Sequence, residues 1–113
     1  MYTKEDFNKI TDIFASSVSG LKALYLFGSY ARGDAREGSD ADLAAIVEVK
    51  PVGSRRKDLL NRLYNQSSGS GYRVDIVFKT ESEFDVDKNV PVTLSHTIAT
   101  QGRLLWPATD SVK

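Results

Sequence analysis

The stretch from Leu24 to Val47, LYLFGSYARGDAREGSDADLAAIV, constrains the fold more than any other part of the chain. Its start belongs to a run of large apolar residues, 21–27, which is bounded by glycines and is typical of a buried strand. Gly28-Ser29 ends this run, and a second apolar stretch begins around Asp40 and Asp42. The sequence therefore predicts two neighbouring strands that are joined by a turn and a short charged loop.

The turn after the first predicted strand suits an anion. Gly28 lets a ligand approach the backbone closely, and Ser29 adds a hydroxyl. Residues 30–32 are expected to form a helical turn, and a helix N-terminus presents unpaired N–H groups. Arg32 is the charged residue nearest to this turn. It either contacts a phosphate or pairs with Asp34, Asp40 or a nearby carbonyl and braces the loop, because a guanidinium serves both purposes well.

Asp40 and Asp42 stand at the start of the second predicted strand, residues 41–49. Alternate residues of a strand face the same side, so we expect both carboxylates on one side. Two carboxylates about 5 Å apart repel each other by roughly 3 kcal/mol at an effective dielectric constant of 20. A bound proton or a cation offsets this repulsion, and Mg²⁺ prefers carboxylate and phosphate oxygens. The pair therefore indicates a metal–nucleotide site beside the turn, although Asp40 alone is also typical of a turn.

A third carboxylate, Asp75, lies within a later apolar run. Residues 72–78 alternate in polarity, so that Asp75 faces away from its large apolar neighbours. An aspartate inside such a strand is costly to bury unless it is paired, hydrogen-bonded or bound to a metal. Asp75 is therefore either a further metal ligand or half of an exposed pair with Arg73.

These residues together resemble the signature of the DNA polymerase β-type nucleotidyltransferase superfamily. The resemblance rests on Gly28-Ser29, Ala31-Arg32-Gly33 and Ser39-Asp40-Ala41-Asp42-Leu43 in that order, followed by a third aspartate within residues 73–77. Within the superfamily, the chain is similar to the minimal nucleotidyltransferases (MNT), which are often the antitoxin partners of HEPN-domain proteins. The resemblance covers residues 5–106, which is nearly the whole chain.

The resemblance implies a chemistry and a set of site residues. The reaction would transfer a nucleoside monophosphate from an NTP, with ATP the expected donor, to a hydroxyl group. Asp40, Asp42 and Asp75 would be the catalytic residues and would hold two Mg²⁺ ions. The residues that would bind the nucleotide are Gly28, Ser29 and Arg32. The expected acceptor is a tyrosine of a HEPN-type toxin, which would make this chain an antitoxin.

Two other functions stay open at this stage. A non-catalytic antitoxin would inhibit its partner by masking it, but a masking surface does not need three aspartates. An antibiotic-type nucleotidyltransferase would modify a small molecule, and the 113-residue length argues weakly against it. The sequence does not give the base preference, the acceptor or the oligomeric state. A partner protein or a second copy is expected to complete the open side of the site.

Length and composition narrow the class of protein. We expect one nucleotidyltransferase domain over residues 1–113, with a core at 4–106 and a frayed tail at 107–113. The net charge of zero does not indicate direct nucleic-acid binding, and the chain has no cysteine for disulfides. No apolar run approaches the ~20 residues that span a bilayer, and the start lacks a signal peptide. A cytoplasmic location without membrane contact is therefore expected.

The predicted elements follow an alternating order. Strands are expected at 21–27, 41–49, 72–78 and 104–106, and helices at 4–18, at 54–66 and from Pro91 to before Gly102. Thr3 is expected to cap the first helix. A flexible loop is expected at 66–71, and residues 80–87 are read as a loop or a short helix. The fold class is therefore α/β, a single-domain nucleotidyltransferase fold with one mixed sheet and helices packed on it.

Overall fold

The computed structural model describes residues 2–65 and 73–107, which form five helices and four strands. The helices are α1 (Lys4–Ser17), α2 (Gly28–Arg32), α3 (Ser54–Asn65), α4 (Glu81–Asp87) and α5 (Leu94–Gln101), and the strands are β1 (Leu21–Phe27), β2 (Ala41–Val47), β3 (Val74–Thr80) and β4 (Arg103–Trp106). The loop predicted at 66–71 and the tail predicted at 107–113, except Pro107, lie outside the described residues. No helix in the described ranges is long and apolar enough to cross a membrane.

The four strands form one sheet in the order β3-β2-β1-β4. Strand β1 runs antiparallel to β2 and β4, whereas β2 and β3 are parallel. The predicted mixed sheet is therefore confirmed, with helices packed on it. Because β1 ends where β2 and β3 begin, these three strand ends meet at one edge of the sheet.

Both faces of the sheet are covered by apolar side chains. Residues Leu43, Ala45 and Val47 of β2 belong to a large core that includes buried residues of α1 and α3. Residues Ala44 and Ile46 belong to a smaller core with α4 and α5, centred on Phe84 and Ile98. The predicted position of the second strand, central and covered on both sides, is confirmed. Asp42 alternates with Ala44 and therefore lies on the smaller face.

Helix α1 begins where the sequence predicts. The Thr3 hydroxyl accepts the Asp6 N–H at 3.2 Å, and the Asp6 carboxylate accepts the Thr3 N–H at 2.8 Å. This reciprocal capping box satisfies backbone donors that a helix start otherwise leaves unpaired. The direction in which the chain enters α1 is therefore fixed by two hydrogen bonds.

Boundaries of three strands differ from the prediction, and the smallest difference is that β4 begins at Arg103 rather than at residue 104. Strand β2 ends at Val47 rather than at residue 49, because the chain bends there and Val49 is 77% exposed. Strand β3 covers Val74–Thr80 rather than 72–78, because its last two residues still pair with Ile46 and Val47. The start predicted at residue 72 lies outside the described residues.

The start of α5 also differs from the prediction. Pro91 does not begin the helix, because Thr93 is the N-cap and accepts the His96 N–H at 3.1 Å. The acidic stretch before it forms the helix α4. The ring of His96 lies 2.9 Å from the carbonyl oxygen of Lys88, so this histidine links α5 to the end of α4.

Candidate functional site

Three of the predicted site residues lie side by side at one edge of the sheet. Phe27, the last residue of β1, pairs with Asp42, and Gly28 follows it directly. Asp42 also pairs in parallel register with Asp75 of β3. Neighbouring strands lie about 4.8 Å apart. The fold thus brings the turn, the second aspartate of the pair and the third aspartate together from distant parts of the chain.

Gly28 packs directly against the carboxylate of Asp42. A Cβ atom built at Gly28 would lie 2.1 Å from the Asp42 Oδ2 atom, closer than side-chain atoms approach each other. Gly28 also has φ +71°, a left-handed conformation that favours glycine. The turn suited to phosphate and the carboxylate suited to a metal therefore touch.

The environment of Asp42 resists its negative charge. Burial raises the pKa of Asp42 above its ordinary value of 3.8, and the negative charges of Asp75 and Asp40 raise it further. Arg32 acts in the opposite direction and lowers this pKa, but the net shift is upward. The carboxyl of Asp75 is also within hydrogen-bonding reach of Asp42. The edge of the sheet therefore gathers like charges and only partly neutralises them.

Asp40 lies just before β2 and is the more exposed member of the predicted pair. Its side chain is 44% exposed, and its Oδ1 atom lies 3.8 Å from the Nε atom of Arg73. Asp40 is close enough to affect the titration of Asp42, as expected for two carboxylates on one side. Arg73, which the sequence offered as a partner for Asp75, pairs with Asp40.

Ser29 and Arg32 belong to the short helix α2. The N-cap of this helix is Phe27, which makes no side-chain cap hydrogen bond to the backbone N–H groups. Arg32 makes the bracing contact that the sequence allowed, because its Nε atom lies 3.3 Å from Oδ2 of Asp34. Both side chains are more than half exposed, so this pair is weak. A phosphate contact by Arg32 remains a prediction.

The acidic residues have the right chemistry for a divalent cation, but they do not form a tight cluster. Within the two described ranges, no three acidic, histidine or cysteine side chains are arranged so that they could hold a metal ion. Asp40 lies near Arg73, whereas Asp42 and Asp75 lie opposite each other on the neighbouring strands β2 and β3. Oxygen donors with uncompensated charge fit Mg²⁺. Asp42 and Asp75 thus fit as paired donors, and Asp40 would have to exchange Arg73 for the ion.

An aromatic cluster beside the site was not anticipated from the sequence. The rings of Tyr2 and Tyr30 stack with centroids 5.9 Å apart, and Phe7 meets the Tyr30 ring edge-on at 5.4 Å. Tyr30 is the middle residue of α2. The sequence carries a signal for part of this cluster, because an apolar residue before an N-cap commonly packs on the fourth residue of the helix. Tyr2 and Phe7 occupy these two positions around Thr3.

Comparison with known proteins shows which family the chain is similar to. Residues 7–100 match the family model of the nucleotidyltransferase domain. The chain is 26% identical over 99 residues to a protein adenylyltransferase, MntA, of Shewanella oneidensis, which covers 88% of this chain and 63% of the relative. It is 34% identical over 71 residues to the protein adenylyltransferase MntA of Thermococcus cleftensis, which covers 63% of this chain and 69% of that relative. The chain therefore spans about two thirds of the length of these relatives.

A solved structure shows the same fold. It is described as a tri-AMPylated Shewanella oneidensis HEPN toxin in complex with an MNT antitoxin. The match has a TM-score of 0.60 at 23% identity and covers 93% of this chain and 72% of the other. The fold expected from the resemblance is therefore confirmed.

Proposed function

The chain belongs to the nucleotidyltransferase domain family, and from this premise we propose that it is a Mg²⁺-dependent nucleotidyltransferase that transfers AMP from ATP to a hydroxyl group. The observation that carries the proposal is the contact between Gly28 and the carboxylate of Asp42. This contact joins a backbone turn suited to phosphate with a carboxylate suited to a cation. A nucleoside triphosphate with its magnesium needs both features next to each other.

Each predicted site residue has a role in this reaction. The backbone N–H groups of Gly28 and Ser29 would bind the triphosphate, and Arg32 would add a positive charge. Asp40, Asp42 and Asp75 would hold two Mg²⁺ ions, which neutralise charge at the attacking and leaving oxygens when bound.

The reaction forms one bond and breaks one bond. The acceptor oxygen attacks the α-phosphorus, the bond from that phosphorus to the oxygen bridging to the β-phosphate breaks, and pyrophosphate leaves. Asp75 would take the proton of the acceptor hydroxyl. Its position suits this role, because Asp75 is exposed on the edge strand β3 and next to Asp42. The remaining contribution of the protein is to position the reactants and neutralise charge.

We propose that the acceptor is a tyrosine hydroxyl of a HEPN-type partner, which the chain would neutralise as an antitoxin. The support comes from relatives named protein adenylyltransferases and from a neighbour in fold that is solved with an AMPylated HEPN toxin. The exposed edge at Asp75 is consistent with an acceptor delivered by another protein. The partner would therefore be both the substrate and the target of inhibition.

The experiment compares Asp75→Ala with wild type in label transfer from α-labelled ATP to a co-purified HEPN-type partner. The variant should transfer label 10²–10⁴-fold more slowly, as expected when a general base is lost. Its affinity for Mg·ATP should remain near that of wild type, because Asp40 and Asp42 remain. Asp12→Ala on α1 removes an exposed carboxylate elsewhere and is the matched control, with transfer at the wild-type rate.

Two results would overturn the assignment in different ways. Transfer by Asp75→Ala at the wild-type rate would show that Asp75 is not catalytic. If neither protein transferred label while both still neutralised the partner, the chain would be a masking antitoxin rather than an enzyme.

A further inference from the structure

Tyr2 is held in a fixed place by the start of α1. It directly precedes the N-cap Thr3, and its ring meets the ring of Phe7 edge-on, with centroids 6.1 Å apart. Phe7 is the fourth residue of the helix, so the two rings form a hydrophobic staple. The capping box at Thr3 and Asp6 fixes the same segment. The position of the Tyr2 side chain is therefore set by local structure and does not depend on the site.

From this position Tyr2 contacts two segments next to the candidate site, the helix α2 and the chain just before β3. On one side its ring stacks on Tyr30 of α2, with an interplanar angle of 14°, and its N–H donates to the Tyr30 hydroxyl at 3.1 Å. On the other side its hydroxyl donates to the carbonyl oxygen of Arg73 at 3.3 Å and accepts the Arg73 N–H. Tyr2 thus joins the helix that begins at Gly28 to the chain just before β3.

The contact with Arg73 matters because β3 lies at an edge of the sheet. The carbonyl oxygen of Arg73 also accepts the N–H of Ala41 at 3.3 Å, which is the first bond between the chain entering β3 and β2. Two residues later the strand carries Asp75. Hydrogen bonds from Tyr2 and from Ala41 therefore both hold the backbone of Arg73, two residues before Asp75.

We propose that Tyr2 is a positioning residue, which sets the distance between the α2 turn and Asp75 for the reaction proposed above. The inference rests on that proposed function. A displacement of about 1 Å between reacting groups costs up to 10²-fold in rate. Loss of the Tyr2 hydroxyl removes its hydrogen bonds to the Arg73 backbone and leaves the one from Ala41. The stacked ring and the hydrophobic staple stay in place. The nucleotide would bind as before, but the acceptor hydroxyl would be activated poorly.

The test uses Tyr2→Phe in the full chain with its partner, and Tyr64→Phe as the matched control. Tyr64 lies on α3 and is 52% exposed. For Tyr2→Phe we expect a kcat about tenfold or more below wild type and an unchanged KM for ATP. Amide hydrogen exchange at Arg73 should become faster, while the exchange of the β1 amides and the melting temperature should hardly change. Tyr64→Phe should match wild type in all of these measurements.

The outcomes separate this inference from the proposed function. A kcat for Tyr2→Phe equal to that of Tyr64→Phe, or a raised KM with unchanged kcat, would overturn the positioning role. Unchanged exchange at Arg73 would show that the hydroxyl does not hold the start of β3, and would also overturn it. If wild type transferred no label, the proposed function would fail, and the exchange at Arg73 alone would decide whether Tyr2 fixes this strand.

Discussion

The two ends of strand β2 differ in the charged side chains that lie beside them. At its start, Asp42 lies next to Asp75 and close to Asp40, and burial together with these charges raises its pKa. Beyond its other end, the Nζ atom of Lys50 lies 2.9 Å from the Oε1 atom of Glu83. Hydrogen bonding from the Thr80 backbone, and then from Lys50, lowers the pKa of Glu83 to about 2. One end of the strand therefore collects like charges, and the other end pairs opposite charges.

The contrast between the two ends indicates which of them needs a ligand. Paired charges at the far end need nothing further, and their contribution to stability is small because they are exposed. Like charges at the near end oppose folding unless a proton or cation is added. Side chains that lower the stability of the folded state are expected at functional sites. The start of β2 is therefore the part of the molecule that is suited to a ligand.

The largest loss of stability is expected for Gly28→Ala. The new Cβ would meet the Asp42 carboxylate at 2.1 Å, and alanine would also have to adopt φ +71°. The left-handed conformation costs about 1–2 kcal/mol, and Asp42 has to rotate away from the turn. We expect the free energy of unfolding to fall by roughly 2–3 kcal/mol, and transfer to fall by about 10²-fold. Chemical denaturation and the label-transfer assay measure the two quantities.

Gly33→Ala is the control for this prediction. Gly33 has φ +84°, but no heavy atom lies within 4 Å of a Cβ atom there. It should therefore show only the cost of the backbone conformation, about 1–2 kcal/mol, with transfer retained. Equal loss of transfer in the two variants would mean that the contact with Asp42 has no special role.

A smaller difference, in the pKa values of Asp42 and Glu83, is expected when the two ends of β2 are compared by pH titration. Without metal, Asp42 should titrate above 3.8, because burial and its acidic neighbours raise its pKa. Glu83 should titrate at about 2, because its hydrogen bonds to Thr80 and Lys50 lower its pKa. The side-chain carboxyl carbons, followed by NMR, report both values. An Asp42 that titrated at or below its ordinary value would remove the contrast.

The two shifts act on stability in opposite directions. For Asp42, the folded-state pKa is raised, so its contribution is fully present below pH 3.8 and is lost as the pH rises through the raised value. For Glu83, the contribution is present above its ordinary value of 4.5 and is lost as the pH falls toward about 2. Replacing either residue by its amide should remove the corresponding part of the pH dependence.

Much of the fold around the site could be predicted from the sequence, because it follows from local patterns. The apolar run 21–27, the apolar stretch after Asp42 and the alternation around Asp75 are visible one segment at a time, and strands form there. The order of motifs also identified the family, which the match over residues 7–100 confirms. Periodicity and spacing are properties of single segments, so one sequence is enough for them.

Contacts between segments could not be predicted in the same way. Nothing in the sequence places Gly28 against Asp42, turns Asp40 toward Arg73, or brings Tyr2 to the start of β3. These contacts depend on strand register and on side-chain positions that the packed sheet sets. The strand ends predicted at 49 and 78 were wrong for a related reason, since the limit of a strand depends on which partner residues are available.

The start of β2 gathers like charges that a metal–nucleotide ligand would neutralise, and the variant Asp42→Asn tests this assignment. Melting temperature is measured with and without Mg·ATP, and calorimetry with ATP tests its binding with and without Mg²⁺. Without ligand, the variant should be as stable as wild type or more stable, by up to about 3 kcal/mol, because it relieves the repulsion. It should also lose the stabilisation by Mg·ATP, whereas Glu83→Gln at the other end should keep it without gaining stability. A clear fall in the melting temperature of ligand-free Asp42→Asn, or equal binding of ATP by wild type with and without Mg²⁺, would show that Asp42 does not serve a metal–nucleotide ligand.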